Sequence, residues 1–177
     1  PPGCPTVSTM IGLSLLTLVG AAPALPESCK PVYGRIVSQA VPIGQLLSDG
    51  SLCAAPAGLF CTSGKFTGGL TGTFDFTPTT VDTSGNPDFP LTGIAFFTGE
   101  LILQTNDGGL VFKDAGALDV AIAGDGGSFA SVLTVIEGTG ALTGATGRIR
   151  DEGIFTNGCV DCRYRGEVCL PGGGDND

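Results

Sequence analysis

Six of the seven cysteines follow residue 24, and they are the residues of this sequence best suited to chemistry. They form two clusters, Cys29, Cys53 and Cys61 in the first and Cys159, Cys162 and Cys169 in the second. Cys159 and Cys162 form a C-x-x-C, a spacing found in metal sites, redox sites and disulfides. A zinc site would need cysteine ligands throughout, for example Cys53 and Cys61, because the chain has no histidine. In an exported chain the pattern favours disulfides that staple both ends of one domain, in a pairing that the sequence leaves open.

Asp151 is the carboxylate whose position points to acid–base work. Strand alternation divides its neighbourhood into one face with Arg148, Arg150 and Glu152 and another with Ile149 and Asp151. If the second face is buried, the pKa of Asp151 would rise toward the range used for proton transfer. The simpler interpretation is that the charged side chains form a surface ladder of ion pairs.

Oxygen-bearing side chains alternate over residues 82–88, at Asp82, Ser84, Asn86 and Asp88. Calcium loops space their ligands in this way. The segment lacks the later bidentate glutamate of an EF-hand loop, and Pro87 stands where that loop needs glycine. We therefore predict an exposed loop here, with weak calcium binding as the alternative.

Composition argues against several classes of function. The formal net charge of −9 and the pI near 4.2 argue against a nucleic-acid partner, because few cations are present to neutralise phosphates. The absence of histidine removes the commonest general base and metal ligand. Neither a Ser-His-Asp, a Cys-His nor a phosphate-loop pattern occurs, so hydrolases and nucleotide-binding proteins are not expected. We expect no cofactor, and we favour a non-enzyme over an enzyme.

An uncharged, apolar stretch precedes the first charged residue, Glu27. It covers residues 10–24 and ends in Ala22-Pro23-Ala24, a small-x-small pattern typical of a signal-peptidase site. The stretch is too short for a stable membrane span, which needs about twenty residues. We therefore predict that residues 1–24 are a secretory signal peptide or, alternatively, that alternating side chains within 6–24 form a donor-strand-like segment.

Eight segments with alternating or β-branched residues predict an all-β fold. They cover 31–41, 66–77, 92–105, 110–113, 117–123, 128–137, 148–156 and 163–170. Turn signals at intervals of about 8–12 residues are typical of a sandwich or a closed barrel. We predict an all-β domain of about eight strands at 25–170, a sandwich or closed barrel held by disulfides, followed by a polar tail at 171–177. In this domain Asp75 alternates with Phe74 and Phe76 and is predicted to be solvated.

A glycine-rich stretch joins two late strands of the prediction, 128–137 and 148–156. Its glycines are Gly138, Gly140, Gly144 and Gly147. Because glycine permits positive φ and close backbone approach, they predict a structural hairpin. The run Gly-Thr-Gly-x-Leu-x-Gly-Ala-Thr-Gly over 138–147 resembles the closing hairpin of the allene-oxide-cyclase-like and dirigent-like barrels. Leu142 stands where that pattern prefers phenylalanine. Residues 97–101 and 109–110 also resemble the middle of secreted bacterial members of that superfamily.

The resemblance implies an eight-stranded antiparallel barrel with a central cavity. Plant members use such cavities to cyclise or couple small apolar molecules, whereas many bacterial relatives have no known reaction. No catalytic residue of the plant members is carried over, because no further motif matches outside the hairpin.

Three functions follow from these patterns. The first is a secreted, disulfide-stabilised barrel that acts as a non-catalytic extracellular binding or structural protein. The second is a self-associating subunit of an extracellular filament or surface layer that uses residues 6–24 as a donor strand. The third is a cyclase or isomerase that takes a small apolar ligand into the barrel cavity, with Asp151 as the cavity acid.

Overall fold

The computed structural model describes residues 27–57, 59–83, 93–119 and 126–171. The signal-peptide or donor-strand segment at 1–24 lies outside the described residues, and so does the polar tail after Pro171. Three of the four calcium candidates, Ser84, Asn86 and Asp88, also lie outside them.

The described chain forms eight antiparallel strands and one 3₁₀ turn. The strands are β1 (Glu27–Val41), β2 (Cys61–Gly68), β3 (Gly72–Asp82), β4 (Ile94–Thr105), β5 (Gly109–Asp119), β6 (Gly126–Gly138), β7 (Thr146–Thr156) and β8 (Cys159–Pro171). Each strand pairs with its neighbours in sequence, and β8 pairs with β1, so the sheet closes into a barrel. The prediction of an antiparallel eight-stranded barrel is confirmed. Within these ranges, no helix has the length and apolar character that crossing a bilayer requires.

The predicted strands differ from the observed strands in two places. The segment 66–77 contains a turn, where Gly68 has a φ of 107° and the Gly69 N–H donates to the Tyr33 carbonyl at 2.9 Å. The segments 110–113 and 117–123 belong to one strand, β5, as far as the structure describes them. This strand continues through Asp114 because the aspartate turns inward and is buried. The predicted number of strands was therefore right, although three of the predicted segments, 66–77, 110–113 and 117–123, do not each correspond to one observed strand.

The barrel has two ends that differ in their connections. The β2–β3, β4–β5 and β6–β7 connections lie at one end, which we call the hairpin end. Inward-facing side chains fill this half and are at most 3 % exposed; they include Phe66, Phe74, Leu103, Leu110, Phe112, Leu133 and Ile149. Their burial removes apolar area from water at about 25 cal/mol per Å². The other end, which we call the loop end, carries the long connection at 42–60.

The hydroxyl of Tyr164 fastens the β2–β3 turn from inside the barrel. The Leu70 N–H donates to Tyr164 Oη at 2.8 Å, and the hydroxyl lies 3.0 Å from the Leu70 carbonyl and 3.2 Å from the Thr67 carbonyl. Gly34 makes room for this contact, since a Cβ there would lie 1.9 Å from Thr67 O and 2.8 Å from Tyr164. The tyrosine ring also packs against Phe66, with 5.1 Å between ring centroids.

The four predicted hairpin glycines lie in or beside the β6–β7 connection. Gly140, Gly144 and Gly147 have φ values of 62°, 75° and 145°, which disfavour any other residue. Gly138 is needed for a different reason, because a Cβ there would lie 1.9 Å from the Leu142 carbonyl oxygen. The motif therefore has an architectural role at the hairpin end.

Two disulfides stabilise the barrel. Cys29 and Cys169 are directly opposite each other in the β1–β8 ladder, and their bridge joins residues 140 apart in sequence. Cys53 and Cys61 close the connection at 42–60 against the start of β2.

Cys159 and Cys162 are free thiols, so the expectation that all six cysteines form disulfides is wrong for these two. Three residues apart on one strand, they point to opposite faces of the sheet. Cys162 is buried inside the barrel and Cys159 is exposed outside it.

Asp75 is buried, and the prediction that it is solvated is wrong. It points outward from β3 as alternation requires, but the 42–60 connection covers it and leaves it 5 % exposed. Ser48 Oγ donates to the carboxylate at 2.6 Å, the backbone N–H groups of Ser48 and Asp49 each donate at 3.0 Å, and Ser63 Oγ donates as well. Burial raises the pKa of this carboxyl, but the four hydrogen bonds outweigh it, so the pKa is lowered.

Candidate functional site

Four polar side chains from four consecutive strands meet inside the barrel, beside the apolar core. They are Asp114 on β5, Ser131 on β6, Asp151 on β7 and Cys162 on β8, and we call them the interior polar cluster. Each is between 2 % and 7 % exposed. Alternation explains the arrangement, because each residue occupies an inward-facing position of its strand.

Ser131 connects the two carboxyl groups of the cluster. It is directly opposite Asp151 in the β6–β7 ladder, and its Oγ donates a hydrogen bond to Asp151 Oδ1. Ser131 also forms a side-chain hydrogen bond with Asp114. Cys162 Sγ lies 4.0 Å from Asp151 Oδ2, while Asp114 Oδ1 is buried and has no hydrogen-bond partner among the described residues. The cluster therefore leaves one buried acceptor unsatisfied.

The pKa values of both carboxyl groups are raised. Burial is the largest cause for Asp114, and the charge of Asp151 adds to it. Together they raise the pKa of Asp114 to about 7, against the opposing effect of the Ser131 side chain. Burial also raises the pKa of Asp151, against the opposing effect of the Ser131 hydrogen bond. Two carboxyl groups this close disfavour double ionisation, so the cluster tends to hold a proton near neutral pH.

Cys162 is a poor nucleophile in this setting. Burial raises the pKa of its thiol far above the usual value, and the nearby charge of Asp151 raises it further. Because the thiolate is the reactive form, the interior polar cluster has no activated sulfur.

The structure places Asp151 inside the barrel, where alternation had put it. Asp114 was missed because the sequence Lys113-Asp114-Ala115-Gly116 was taken as a break between two strands. Ser131 lies within the predicted strand 128–137, where its alternation with Leu133 and Val135 was not used to place it inside the barrel. Continued alternation from the buried Phe112 would have identified Asp114 as inward-facing.

The calcium candidate receives no support from the part of it that is described. Asp82 lies at the end of β3 and is exposed. Across the described ranges, no three Cys, Asp or Glu side chains come together in a group that could hold a metal ion.

The charged residues beside Asp151 point outward, but they do not form the predicted ladder of ion pairs. Arg148, Arg150 and Glu152 are exposed on the outer face of β7. The ion pairs found among the described residues are Arg35–Asp161 and Lys113–Glu100, which involve none of them. The register sets Arg150 directly opposite Arg165 on β8. It sets Arg148 and Glu152 opposite Glu167 and Arg163, but the side chains of these two pairs do not form ion pairs in the described part of the chain.

Comparisons with protein-family models, with curated proteins and with solved structures find no match to this chain.

Proposed function

We propose that this protein is a secreted, disulfide-stabilised β-barrel that binds its partner at the outer surface and does not catalyse a reaction. The observation that carries this proposal is that side chains fill the hairpin end of the barrel and leave the interior polar cluster buried. Phe66, Phe112 and Leu133 are at most 1 % exposed, and no member of the interior polar cluster exceeds 7 %. A catalytic barrel needs space for a substrate beside its acid group.

Two further observations support an extracellular setting. The Cys29–Cys169 and Cys53–Cys61 bridges are of the kind that persists in oxidising compartments. The apolar stretch at 10–24 ends in a pattern typical of a signal-peptidase site. Both observations fit a scaffold that must stay folded outside the cell.

A small-molecule cyclase or isomerase is the second candidate, and one observation favours it. Asp114 and Asp151 are buried carboxyl groups with raised pKa values, joined through Ser131. Groups of this kind cluster at catalytic sites, although structural networks perturb pKa values as well. This candidate requires the interior to open and admit a small apolar ligand next to Asp151.

Thermal unfolding in the presence of apolar probes separates the two candidates. Oleic acid and farnesol are added to the native protein and to the Asp151→Asn variant. A ligand bound at one hundred times its Kd stabilises a protein by about 2.7 kcal/mol, or roughly 5–10 °C for a chain of this size. We expect no such rise. A saturable rise in the native protein that Asp151→Asn abolishes would overturn the non-catalytic proposal.

A further inference from the structure

All five arginines of the chain lie on the outer faces of three neighbouring strands. They are Arg148 and Arg150 on β7, Arg163 and Arg165 on β8, and Arg35 on β1, and all are exposed. Three acids lie among them: Glu152, Asp161 and Glu167. We call these eight residues the arginine wall. The formal charge of the arginine wall is +2. Because the whole chain has a formal net charge of −9, the residues outside the wall carry −11.

Arg150 and Arg165 are the part of the arginine wall that has no acid directly opposite it in the described ladders. Arg35 pairs with Asp161, and Arg148 and Arg163 lie directly opposite Glu167 and Glu152. Arg150 and Arg165 are directly opposite each other in the β7–β8 ladder. Like charges directly opposite in a sheet are destabilising. The fold thus carries a repulsive pair that an external anion would relieve.

A groove crosses the barrel surface at this pair. Directly opposed residues of five consecutive strands form its row, in the order Ala115, Val132, Arg150, Arg165 and Tyr33. The small side chain of Ala115 and the neighbouring Ala130 leave the groove open at one end, and Tyr33, which is 72 % exposed, stands at the other. The row spans about 19 Å, since adjacent strands are roughly 4.8 Å apart.

The chemistry of this surface selects among anionic partners. The barrel is closed and Arg150 and Arg165 lie within paired strands, so a peptide finds no free edge there for β-strand addition. A symmetric dimer through this face would bring arginines against arginines. The strong negative charge elsewhere repels any polyanion, and most strongly one as densely charged as a nucleic-acid duplex. A polymer with spaced anionic groups on uncharged rings avoids the first two conflicts and reduces the third.

We propose that the arginine wall binds an acidic polysaccharide. The guanidinium groups of Arg150 and Arg165 form bidentate hydrogen bonds with its carboxylate or sulfate groups, which planar guanidinium forks fit well. The exposed ring of Tyr33 offers an apolar face on which a sugar ring can lie. This inference rests on the proposed extracellular, non-catalytic function and names the class of its partner.

Isothermal titration calorimetry with three polymers tests the inference. Polygalacturonate presents carboxylates, dextran sulfate presents sulfates, and dextran is the neutral control. We expect at least one acidic polymer to bind and dextran not to bind, with affinity falling as salt rises. The acidic polymer that binds more tightly identifies the anionic group that is recognised.

Two double variants with the same change of net charge locate the site. Arg150→Ala with Arg165→Ala should weaken binding by at least about tenfold, since two charge-assisted contacts are lost. Lys65→Ala with Lys113→Ala removes two exposed cations from other strands and should change the affinity by less than about threefold. Arg150→Lys with Arg165→Lys keeps the charge but loses the fork, and should bind more weakly than the native protein. Urea unfolding checks that the first variant is as stable as the native protein, as removal of a repulsive surface pair predicts.

Three results would overturn the inference. One is that neither acidic polymer binds, and another is that the lysine variant loses as much affinity as the arginine variant. The third is an oligomer, seen by light scattering, that dissociates in the Arg150→Ala, Arg165→Ala variant, because the partner would then be a second copy of the chain. None of these results affects the non-catalytic proposal, which is tested with apolar probes and Asp151→Asn.

Discussion

At the scale of single residues, two buried aspartates show how hydrogen bonding decides charge. Asp75 and Asp114 are 5 % and 7 % exposed. Asp75 accepts four hydrogen bonds and its pKa is lowered, whereas Asp114 lies near Asp151 with one oxygen unpaired and its pKa is raised to about 7. Burial alone therefore does not determine the protonation state, and the two residues should affect stability with opposite signs.

Asp114→Asn should stabilise the protein in a pH-dependent way. Because the pKa of Asp114 is raised on folding from 3.8 to about 7, its contribution favours folding at low pH and is lost as the pH rises through about 7. The variant should match the native protein near about pH 4 and exceed its free energy of unfolding by as much as roughly 4 kcal/mol near about pH 8. Urea unfolding at both pH values measures this difference. An equal effect at both values would contradict the account.

Asp75→Asn is the matched control, with the opposite sign. A lowered pKa favours folding above the unfolded pKa and loses that contribution as the pH falls. The variant should lose about 1–3 kcal/mol of stability near about pH 8, because buried donors from Ser48 and Asp49 lose a charged acceptor. A stabilising effect here would show that the contacts of Asp75 are misassigned.

At the scale of elements, the β2–β3 turn depends on a side chain from β8. Tyr164 reaches past Gly34 on β1 and bonds the Leu70 N–H, which would otherwise be unpaired inside the turn. The Tyr164 hydroxyl thus links β8 to Thr67 on β2 and to Leu70 in the turn. Gly34 has to be glycine for that contact to exist.

Tyr164→Phe should destabilise the barrel by about 1–3 kcal/mol, because Leu70 N loses its acceptor. For a chain of this size that corresponds to a fall in Tm of about 2–4 °C per kcal/mol, which calorimetry can resolve. Tyr33→Phe removes the same hydroxyl from an exposed position and should change stability by less than about 0.5 kcal/mol. Equal effects of the two variants would argue against the turn contact.

The sequence was sufficient for the fold class at this scale and insufficient for the pairing of elements. The resemblance of residues 138–147 favoured a barrel over a sandwich. Period-two alternation and turn spacing predicted the all-β fold, and they placed Asp151 on its inner face. They did not reveal the turn at Gly68, because the glycines there fit the alternation of a strand. The Arg150–Arg165 pair depends on the register between β7 and β8, and local alternation carries no information about such register. Alternation also could not predict the burial of Asp75, because the 42–60 connection is what covers this residue.

At the scale of the whole molecule, the Cys29–Cys169 bridge closes the barrel where the first and last strands meet. It joins residues 140 apart in sequence, whereas Cys53–Cys61 spans only 8. A disulfide restricts the unfolded chain more when it closes a longer loop. The two bridges should therefore differ in their contribution to stability.

Replacing Cys29 and Cys169 by serine should cost about 5 kcal/mol, and replacing Cys53 and Cys61 about 2–3 kcal/mol, on the loop-closure model. Guanidinium unfolding of both double variants, each without reductant, measures which bridge contributes more to the free energy of unfolding. If loss of the Cys53–Cys61 bridge were the more damaging change, the 42–60 connection and not the barrel closure would limit stability.

The state of the cysteines tests the central proposal, an extracellular barrel closed by disulfides, most directly. The protein is recovered from culture medium, alkylated without reduction, digested and analysed by mass spectrometry. We predict linked peptides for Cys29–Cys169 and Cys53–Cys61, a Cys159 that is alkylated in the native protein, and a Cys162 that is alkylated only after unfolding. A bridge between Cys159 and Cys162, or reduced thiols at Cys29 and Cys169, would contradict the account.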